Sequence, residues 1–151
     1  MINTKREQIV TAAIARLAAG ANVGAVKPAG ELDASTIAGQ LAQGKFVIEV
    51  FTTDDTRLTL PMQFEELRFE LACVIHLPKI DGRTTASLAA DAHGENIKQL
   101  TLPPANTLGN LADDVQLLGG GAAGLDPELG TGQGFSLFEV KYRHLVGDPT
   151  S

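Results

Sequence analysis

A long alternating segment in the middle of the chain constrains the fold more than any other feature of the sequence. From position 67 to position 77 every second side chain is apolar: Leu67, Phe69, Leu71, Cys73, Ile75 and Leu77. Because successive side chains of a strand point to opposite faces, this spacing predicts a long strand with one face in the core. The intervening Arg68, Glu70 and His76 predict that the other face is partly wet, as is common in antiparallel sheets.

Other runs of the chain also have strand character. Phe46 to Phe51 is rich in β-branched and aromatic residues and predicts a central strand. Phe135 to Val146 predicts the final strand, with Phe138, Val140, Tyr142 and His144 on one face. Asn22 to Pro28 is expected to form a short strand or an extended link, and Leu111 to Leu118 a further short strand.

Three segments have helical spacing and recognisable starts. Thr4-Lys5-Arg6-Glu7 is a capping box and predicts a first helix from Lys5 to Ala19. Asp33 is suited to cap a second, short helix. Thr84 or Thr85 is suited to cap a third, which Pro103-Pro104 stops. The apolar positions of these helices are Ile9, Val10, Ala13, Ile14, Leu17, Ile37, Leu41, Leu88, Ala89, Ala92, Ile97 and Leu100.

Two connections lack a core pattern. Thr52 to Gln63 is polar, contains Pro61 and is too long for a tight turn, so we expect it to extend as two arms of a projecting hairpin. Gly119 to Gly134 contains seven glycines and is predicted to be a flexible loop that becomes ordered against a partner. Residues 147–151 are expected to form a short polar tail.

The order of these elements predicts a single α+β domain that spans residues 1–151. We expect a mixed, mainly antiparallel sheet with helices packed mostly on one face and a projecting hairpin or long loop. A chain of 151 residues is long enough to bury a core without disulfides or metals. The predicted core comprises Phe46, Ile48, Val50, Leu71, Cys73, Ile75, Val140 and Tyr142, packed against Ile9, Ala13, Ile14 and Leu17 of the first helix.

Charge and cysteine content exclude several classes of function. Twelve basic residues against 18 acidic ones give a net charge of −6, the wrong sign for gripping nucleic-acid phosphates. Cys73 is the single cysteine, so no intrachain disulfide is possible. No run approaches the roughly 18 apolar residues that a spanning helix needs, and the first residues do not have the pattern of a signal peptide.

No motif predicts catalysis, a metal site or a cofactor. Gly39 to Phe46 follows most of a phosphate-binding loop, but Phe46 stands where Ser or Thr must bind the metal, and a helix precedes the loop. Gly130 to Gly134 resembles a fragment of a dinucleotide fingerprint but precedes a strand. Three histidines, His76, His93 and His144, have no metal-site spacing, and the serines lie outside any nucleophile-elbow context.

The succession of elements resembles the tail-terminator and tail-completion proteins of tailed bacteriophages. The resemblance covers most of the chain and rests on order and spacing. The segments involved, after the leading amphipathic helix, are Phe46 to Val50, Phe69 to Ile75, Asn106 to Val115, Phe138 to Tyr142 and the Gly147-Asp148-Pro149 tail. The glycine-rich stretch 119–134 departs from the compact members of that family.

The resemblance implies a structural virion protein at the junction of tail and neck, assembled in the host cytoplasm. Such a protein forms a homohexameric ring that caps the tail tube and offers a docking face to the head-side connector or stopper protein. DNA passes through the ring without sequence-specific binding, and no enzyme activity or cofactor is expected. The alternatives are another neck or tail-completion role, or a small enzyme or ligand-binding module with an unrecognised pocket.

Two protruding segments are the candidates for contacts with partners or with the lumen. A ring closed by contacts between different surfaces needs elements that reach a neighbour, and the two connections described above have that character. The candidate residues are Thr52, Thr53, Asp54, Asp55, Thr56 and Arg57 in the first, and Gly121, Leu125, Asp126 and Leu129 in the second.

Overall fold

A computed structural model of the chain describes residues 4–57, 64–125 and 131–145. It confirms the predicted α+β fold, with three helices and a six-stranded mixed, mostly antiparallel sheet. The helices are α1 (Lys5–Ala18), α2 (Ala34–Ala42) and α3 (Thr85–Thr101), followed by a 3-10 turn at Ala105–Thr107. The strands are β1 (Val23–Pro28), β2 (Phe46–Thr52), β3 (Thr56–Arg57), β4 (Phe64–His76), β5 (Asp114–Leu125) and β6 (Gly132–Leu145).

The sheet has the strand order β1-β2-β4-β6-β5. Strand β1 is parallel to β2, and every other pairing is antiparallel. The short β3 continues the line of β2 along the same side of β4, because Thr52 pairs with Leu71 and Thr56 pairs with Arg68. The sequence from Phe46 to Arg57 therefore follows β4 over most of its length.

Side-chain caps start all three helices as the sequence predicts. The Thr4 hydroxyl accepts a hydrogen bond from the Glu7 amide at 3.2 Å, and the Glu7 carboxylate accepts one from the Thr4 amide at 3.0 Å. The Asp33 carboxylate accepts from the Thr36 amide at 2.7 Å. Thr84, not Thr85, caps α3 and accepts from the Ser87 amide at 3.1 Å. These bonds satisfy amides that have no partner within the helix.

Helices α1 and α3 cover one face of the sheet and α2 covers part of the other. The main core lies under α1 and α3 and contains all eight predicted strand residues together with Ile9, Ala13 and Leu17. Ile14 is only half-buried at the edge of this core. On the opposite face, Ile37 and Leu41 of α2 pack against Val47 of β2. Most of the second face, over β4, β6 and β5, has no helix from the described residues against it.

The prediction of a glycine-rich loop over 119–134 is wrong for most of that segment. Strand β5 continues to Leu125 and β6 begins at Gly132, with Gly120 opposite Ser136 and Leu125 opposite Gly132. Close packing of α3 explains two of the glycines, Gly120 and Gly132. An added Cβ at Gly120 would lie 2.1 Å from the His93 ring, and one at Gly132 would lie 2.4 Å from Thr85. Glycine lets the helix approach the sheet backbone.

Other boundaries also differ from the sequence prediction. The strand expected at Leu111 to Leu118 begins later, at Asp114, and is longer. The expected hairpin over Thr52 to Gln63 includes the end of β2 and all of β3, since main-chain pairing with β4 resumes at Thr56. Residues 58–63, the segment 126–130 with Asp126 and Leu129, and the polar tail 147–151 lie outside the described residues.

Replacing Gly120 by alanine is expected to lower the midpoint of thermal unfolding. The new methyl group must displace the His93 ring, which is hydrogen-bonded to Ser136 at 2.7 Å. Overpacking of this kind costs about 1–3 kcal/mol. Gly119→Ala is the matched control, because an added Cβ there meets no described atom within 4 Å. Equal midpoints for the two variants, measured by circular dichroism, would contradict the close approach of α3 to β5.

Candidate functional site

The first group of predicted site residues lies at an open edge of the sheet. Strand β1 stops at Pro28, opposite Val50, and the Ala29 amide donates to the Val50 carbonyl at 2.9 Å. Beyond that point, no strand among the described residues pairs with the outer side of Phe51–Arg57. We call residues 51–57 the arm. The arm therefore presents an unpaired strand edge next to the shorter β1.

A bulge in the arm turns one of its carbonyl groups away from β4. The Thr53 amide donates to the Glu70 carbonyl at 3.0 Å, but the Glu70 amide donates to the Thr53 hydroxyl at 2.8 Å rather than to a main-chain oxygen. The threonine side chain thus takes the place of a carbonyl in the ladder. The Thr53 carbonyl accepts instead from the guanidinium of Arg6, in the first turn of α1.

Arg6 also holds the next part of the arm. Its guanidinium forms an ion pair with Asp55 at 2.7 Å and lies 4.5 Å from the centroid of the Phe69 ring. The second Asp55 oxygen accepts a hydrogen bond from the Tyr142 hydroxyl at 2.8 Å. We call Arg6, Thr53, Asp55 and Tyr142 the latch. The latch joins α1, the arm and β6. Both carboxylate oxygens of Asp55 are engaged in it.

The environment of the latch raises the pKa of Tyr142. Burial of the phenol is the main cause, and the hydrogen bond to Asp55 and the charge of that carboxylate act in the same direction. A charged tyrosinate would lose solvation and face a carboxylate at hydrogen-bond distance. The protonated phenol is therefore the form that holds the arm.

A second set of ion pairs lies beside the latch. Glu65 contacts Arg57 at 2.9 Å and His144 at 3.3 Å. A cavity of about 310 Å³ lies here, lined by Thr4, Arg6, Asp55, Glu65, Leu67, Tyr142 and His144. The carboxylates of Asp55 and Glu65 in this lining are paired with the guanidinium groups of Arg6 and Arg57. This arrangement fixes strands β3, β4 and β6 to α1.

Asp54 has a different environment from Asp55. It is exposed and lines a groove of about 330 Å³ on the sheet face opposite α1 and α3, together with Glu70 and Glu139. Arg68 forms an ion pair with Glu139 at 3.0 Å in the same groove. Of the two adjacent aspartates, Asp54 is thus the exposed one.

The second group of predicted site residues lies at the opposite edge of the sheet. Gly121 and Leu125 belong to β5, whose outer side has no paired strand among the described residues. The run from Val115 to Leu125 contains no charged residue. Two register shifts, after Leu117 and after Ala122, mark bulges in β5. Leu118, the extra residue at the first bulge, is 47% exposed.

The structure does not bring the two predicted groups together within one molecule. Strands β4 and β6 separate the arm from β5, which puts the two edges about 14 Å apart at the usual strand spacing. Each group therefore offers its own surface.

Sequence reasoning missed several residues at these surfaces. Arg6 and Tyr142 were expected only as helix and core residues. Phe51 and Phe135 are 46% and 40% exposed on the face away from α1 and α3. Phe135 falls out of phase with the buried positions of its strand, whereas Phe51 shares its face with the buried Val47 and gave no such signal.

The polar cluster of His93, Asn96 and Ser136 joins α3 to β6. His93 contacts the Ser136 hydroxyl at 2.7 Å and Asn96 donates to the same oxygen at 3.0 Å. Ser136 is completely buried, so its hydroxyl is enclosed, and burial lowers the pKa of His93. Within residues 4–57, 64–125 and 131–145, no group of three or more His, Cys, Asp or Glu residues is placed to hold a metal ion.

Comparisons with known proteins add no assignment. Neither a scan against protein-family models nor a search of curated proteins gave a match. None of the described helices has the length and apolar character needed to cross a membrane. Function has to be inferred from the residues and from the two open edges.

Titration of Tyr142 tests the latch directly, because the chain has one tyrosine and no tryptophan. The tyrosinate absorbance is expected to rise at a higher pH in the folded protein than in denaturant, where the pKa is about 10. Since the folded state favours the protonated phenol, the shift in the Tyr142 pKa stabilises the fold at pH values below the pKa of the unfolded state. This stabilisation is lost as the pH rises through the pKa of the folded state.

Two carboxylate variants complete this test. Asp55→Asn is expected to lower the Tyr142 midpoint, because it removes the negative charge at the phenol. Asp54→Asn, which changes the exposed neighbour, is expected to leave the midpoint unchanged. Equal midpoints in the folded and denatured proteins, or equal effects of the two variants, would contradict the latch.

Proposed function

We propose that the protein is a structural virion protein of a tailed bacteriophage, a tail terminator that assembles as a ring. In this proposal the ring caps the tail tube and provides the docking face for the head-side connector or stopper protein. The chemistry is that of assembly: the protein's partners are other copies of itself and the neighbouring virion proteins.

The observation that supports this proposal best is the pair of open strand edges on opposite sides of one sheet. Contacts between two different surfaces of identical subunits generate rings when the rotation closes. The arm and β5 are two such surfaces, one polar and one without charge from Val115 to Leu125. They are placed so that each subunit can contact a neighbour on both sides.

Strand β1 makes a useful contrast with these two edges. It has six residues, ends in proline and packs between α1 and α2, where Gln40 lies against Gly24. Short strands, proline and covering helices are the usual means by which proteins protect an edge from pairing. The arm and β5 lack that cover among the described residues, which favours their use in assembly.

The charge of the chain supports a channel through which DNA passes. A net charge of −6, and a groove in which Asp54, Glu70 and Glu139 outnumber Arg68, suit a surface that repels phosphates. In the proposed ring the arm lies at or near the central channel.

A test combines mass and imaging. In solution the protein is expected to reach a mass near six times 15.8 kDa, and image reconstruction is expected to place the arm at or near the channel. A monomer at every concentration, or an arm on the outer rim, would rule out this arrangement.

Asp54→Lys tests the channel charge. The variant is expected to fold and assemble but to impair DNA passage or tail joining, because a cationic lumen holds phosphates. Asp55 is left unchanged because it binds Arg6. Glu31→Lys, an exposed acidic residue outside the arm, is the matched control and is expected to leave infectivity unchanged. Wild-type infectivity of the Asp54 variant would contradict a role for this charge.

A further inference from the structure

We infer that the sheet face opposite α1 and α3 binds one amphipathic α-helix of a partner protein, beside α2. We call this surface the second face, and its open half lies over β4, β6 and β5. The inference rests on the proposed function for the identity of the partner, a neighbouring virion protein. The binding site itself is separate from the two strand edges and does not depend on how a ring closes.

An apolar band crosses the open half of the second face. Phe51 and Phe135 are 46% and 40% exposed, and Ala72, Val74 and Leu137 are half-buried. Strand pairing places Ala72 between Phe51 and Leu137, and it places Val74 opposite Phe135 in the next row on this face. A contiguous apolar patch on an otherwise polar surface is typical of a contact site for another molecule.

Two glycines of β5 extend these rows as bare backbone. Gly119 pairs with Leu137, and Gly121 pairs with Phe135. An added Cβ at either glycine meets no described atom within 4 Å, in contrast to Gly120, which lies under α3. Gly119 also lacks a positive φ, so neither its backbone nor its neighbours in the chain require glycine. Glycine within a strand marks a place where another backbone can approach closely.

The open half has the dimensions of a single helix. At the usual strand spacing, β4 and β5 are about 10 Å apart, which equals the diameter of one helix with its side chains. Along β4, the six steps from Glu70 to His76 cover about 20 Å, the length of a helix of about 13 residues. A partner helix laid here continues the layer that α2 begins over β2.

Helix α2 offers a suitable side to such a neighbour. Ala38 and Ala42 line a groove of about 280 Å³ together with Leu41, Lys79 and Thr131. Both alanines are exposed, and the sequence from position 34 to position 44 contains no charged residue. Because the side chains at a contact set the distance between two helix axes, small residues let a second helix pack closely against α2.

The charges at the two ends of the open half fit the dipole of a helix. Glu70 is exposed at one end, in the groove that it shares with Asp54 and Glu139. Lys79 is exposed at the other end, beside the last turn of α2. A helix carries partial positive charge at its N-terminus and partial negative charge at its C-terminus. The partner helix therefore begins near Glu70, ends near Lys79 and runs parallel to α2.

A pair of stapled helical peptides tests the site and its polarity. The matched peptide has about 14 residues, leucine and alanine along one side, lysines in its first turn and glutamates in its last turn. The control peptide exchanges the lysines and glutamates. The matched peptide is expected to bind the full chain about fivefold more tightly in fluorescence anisotropy, because its charges face Glu70 and Lys79 with opposite sign. The control has the charge order that favours an isolated helix, so weaker binding of the control is not a loss of helicity.

Three variants of the protein locate the contact. Phe135→Lys is expected to weaken binding of the matched peptide about tenfold, because it places a charge in the apolar band. Leu102→Lys is the matched control, since Leu102 is 53% exposed at the end of α3, away from the second face, and is expected to leave binding unchanged. Glu70→Lys is expected to reverse the preference between the two peptides. Thermal midpoints close to that of the wild type show that each variant is folded.

The outcomes separate this inference from the proposed function. A ring that binds neither peptide, or that binds both equally, overturns the inference and leaves the ring in place. Equal effects of Phe135→Lys and Leu102→Lys also overturn it. Loss of self-association in Phe135→Lys would show that a second copy covers this face and would overturn the partner helix. A monomer that binds the matched peptide with the expected preference overturns the ring and leaves the helix site.

Discussion

The pairing of β4 with β6 is the interaction on which the rest of the structure depends. It joins every residue of β4, from Phe64 to His76, to a partner on β6. This ribbon sets which side chains of both strands enter the core, and α3 packs on the β6 side of it. It also supports one open edge on each side, because the arm pairs with β4 and β5 pairs with β6. A slip of one residue in this register would reverse the buried and exposed faces of both strands.

Much of the fold follows from local patterns in the sequence. The alternation from Leu67 to Leu77 predicted the central strand, and Thr4, Asp33 and Thr84 marked the helix starts, because period and capping depend on residues close together in the chain. The pairing of β5 with β6 was missed because the reason for two of the glycines is tertiary. Gly120 and Gly132 are required by side chains on α3, and a composition rule for loops has no access to that contact.

The candidate surfaces were predictable in position but not in structure. The unusual length of the connection after β2 indicated the position of the arm. The contacts that the arm makes could not be predicted from that length. Arg6 lies 49 positions from Asp55, and Asp55 lies 87 positions from Tyr142. No local pattern links residues so far apart. The adjacent aspartates show the limit most clearly, since Asp55 is tied to the latch while Asp54 remains exposed.

The latch gives the arm a property that favours contact with a partner. An extended segment that is disordered before binding loses conformational entropy when it pairs, and this loss weakens the contact. Here Arg6 and Tyr142 fix the arm from the core side, and Thr53 and Thr56 fix it to β4. The outer side of the arm stays open while the segment is already held in an extended conformation. The entropy cost of ordering the arm is thus met during folding of the single chain, and a partner at this edge would encounter a preformed strand.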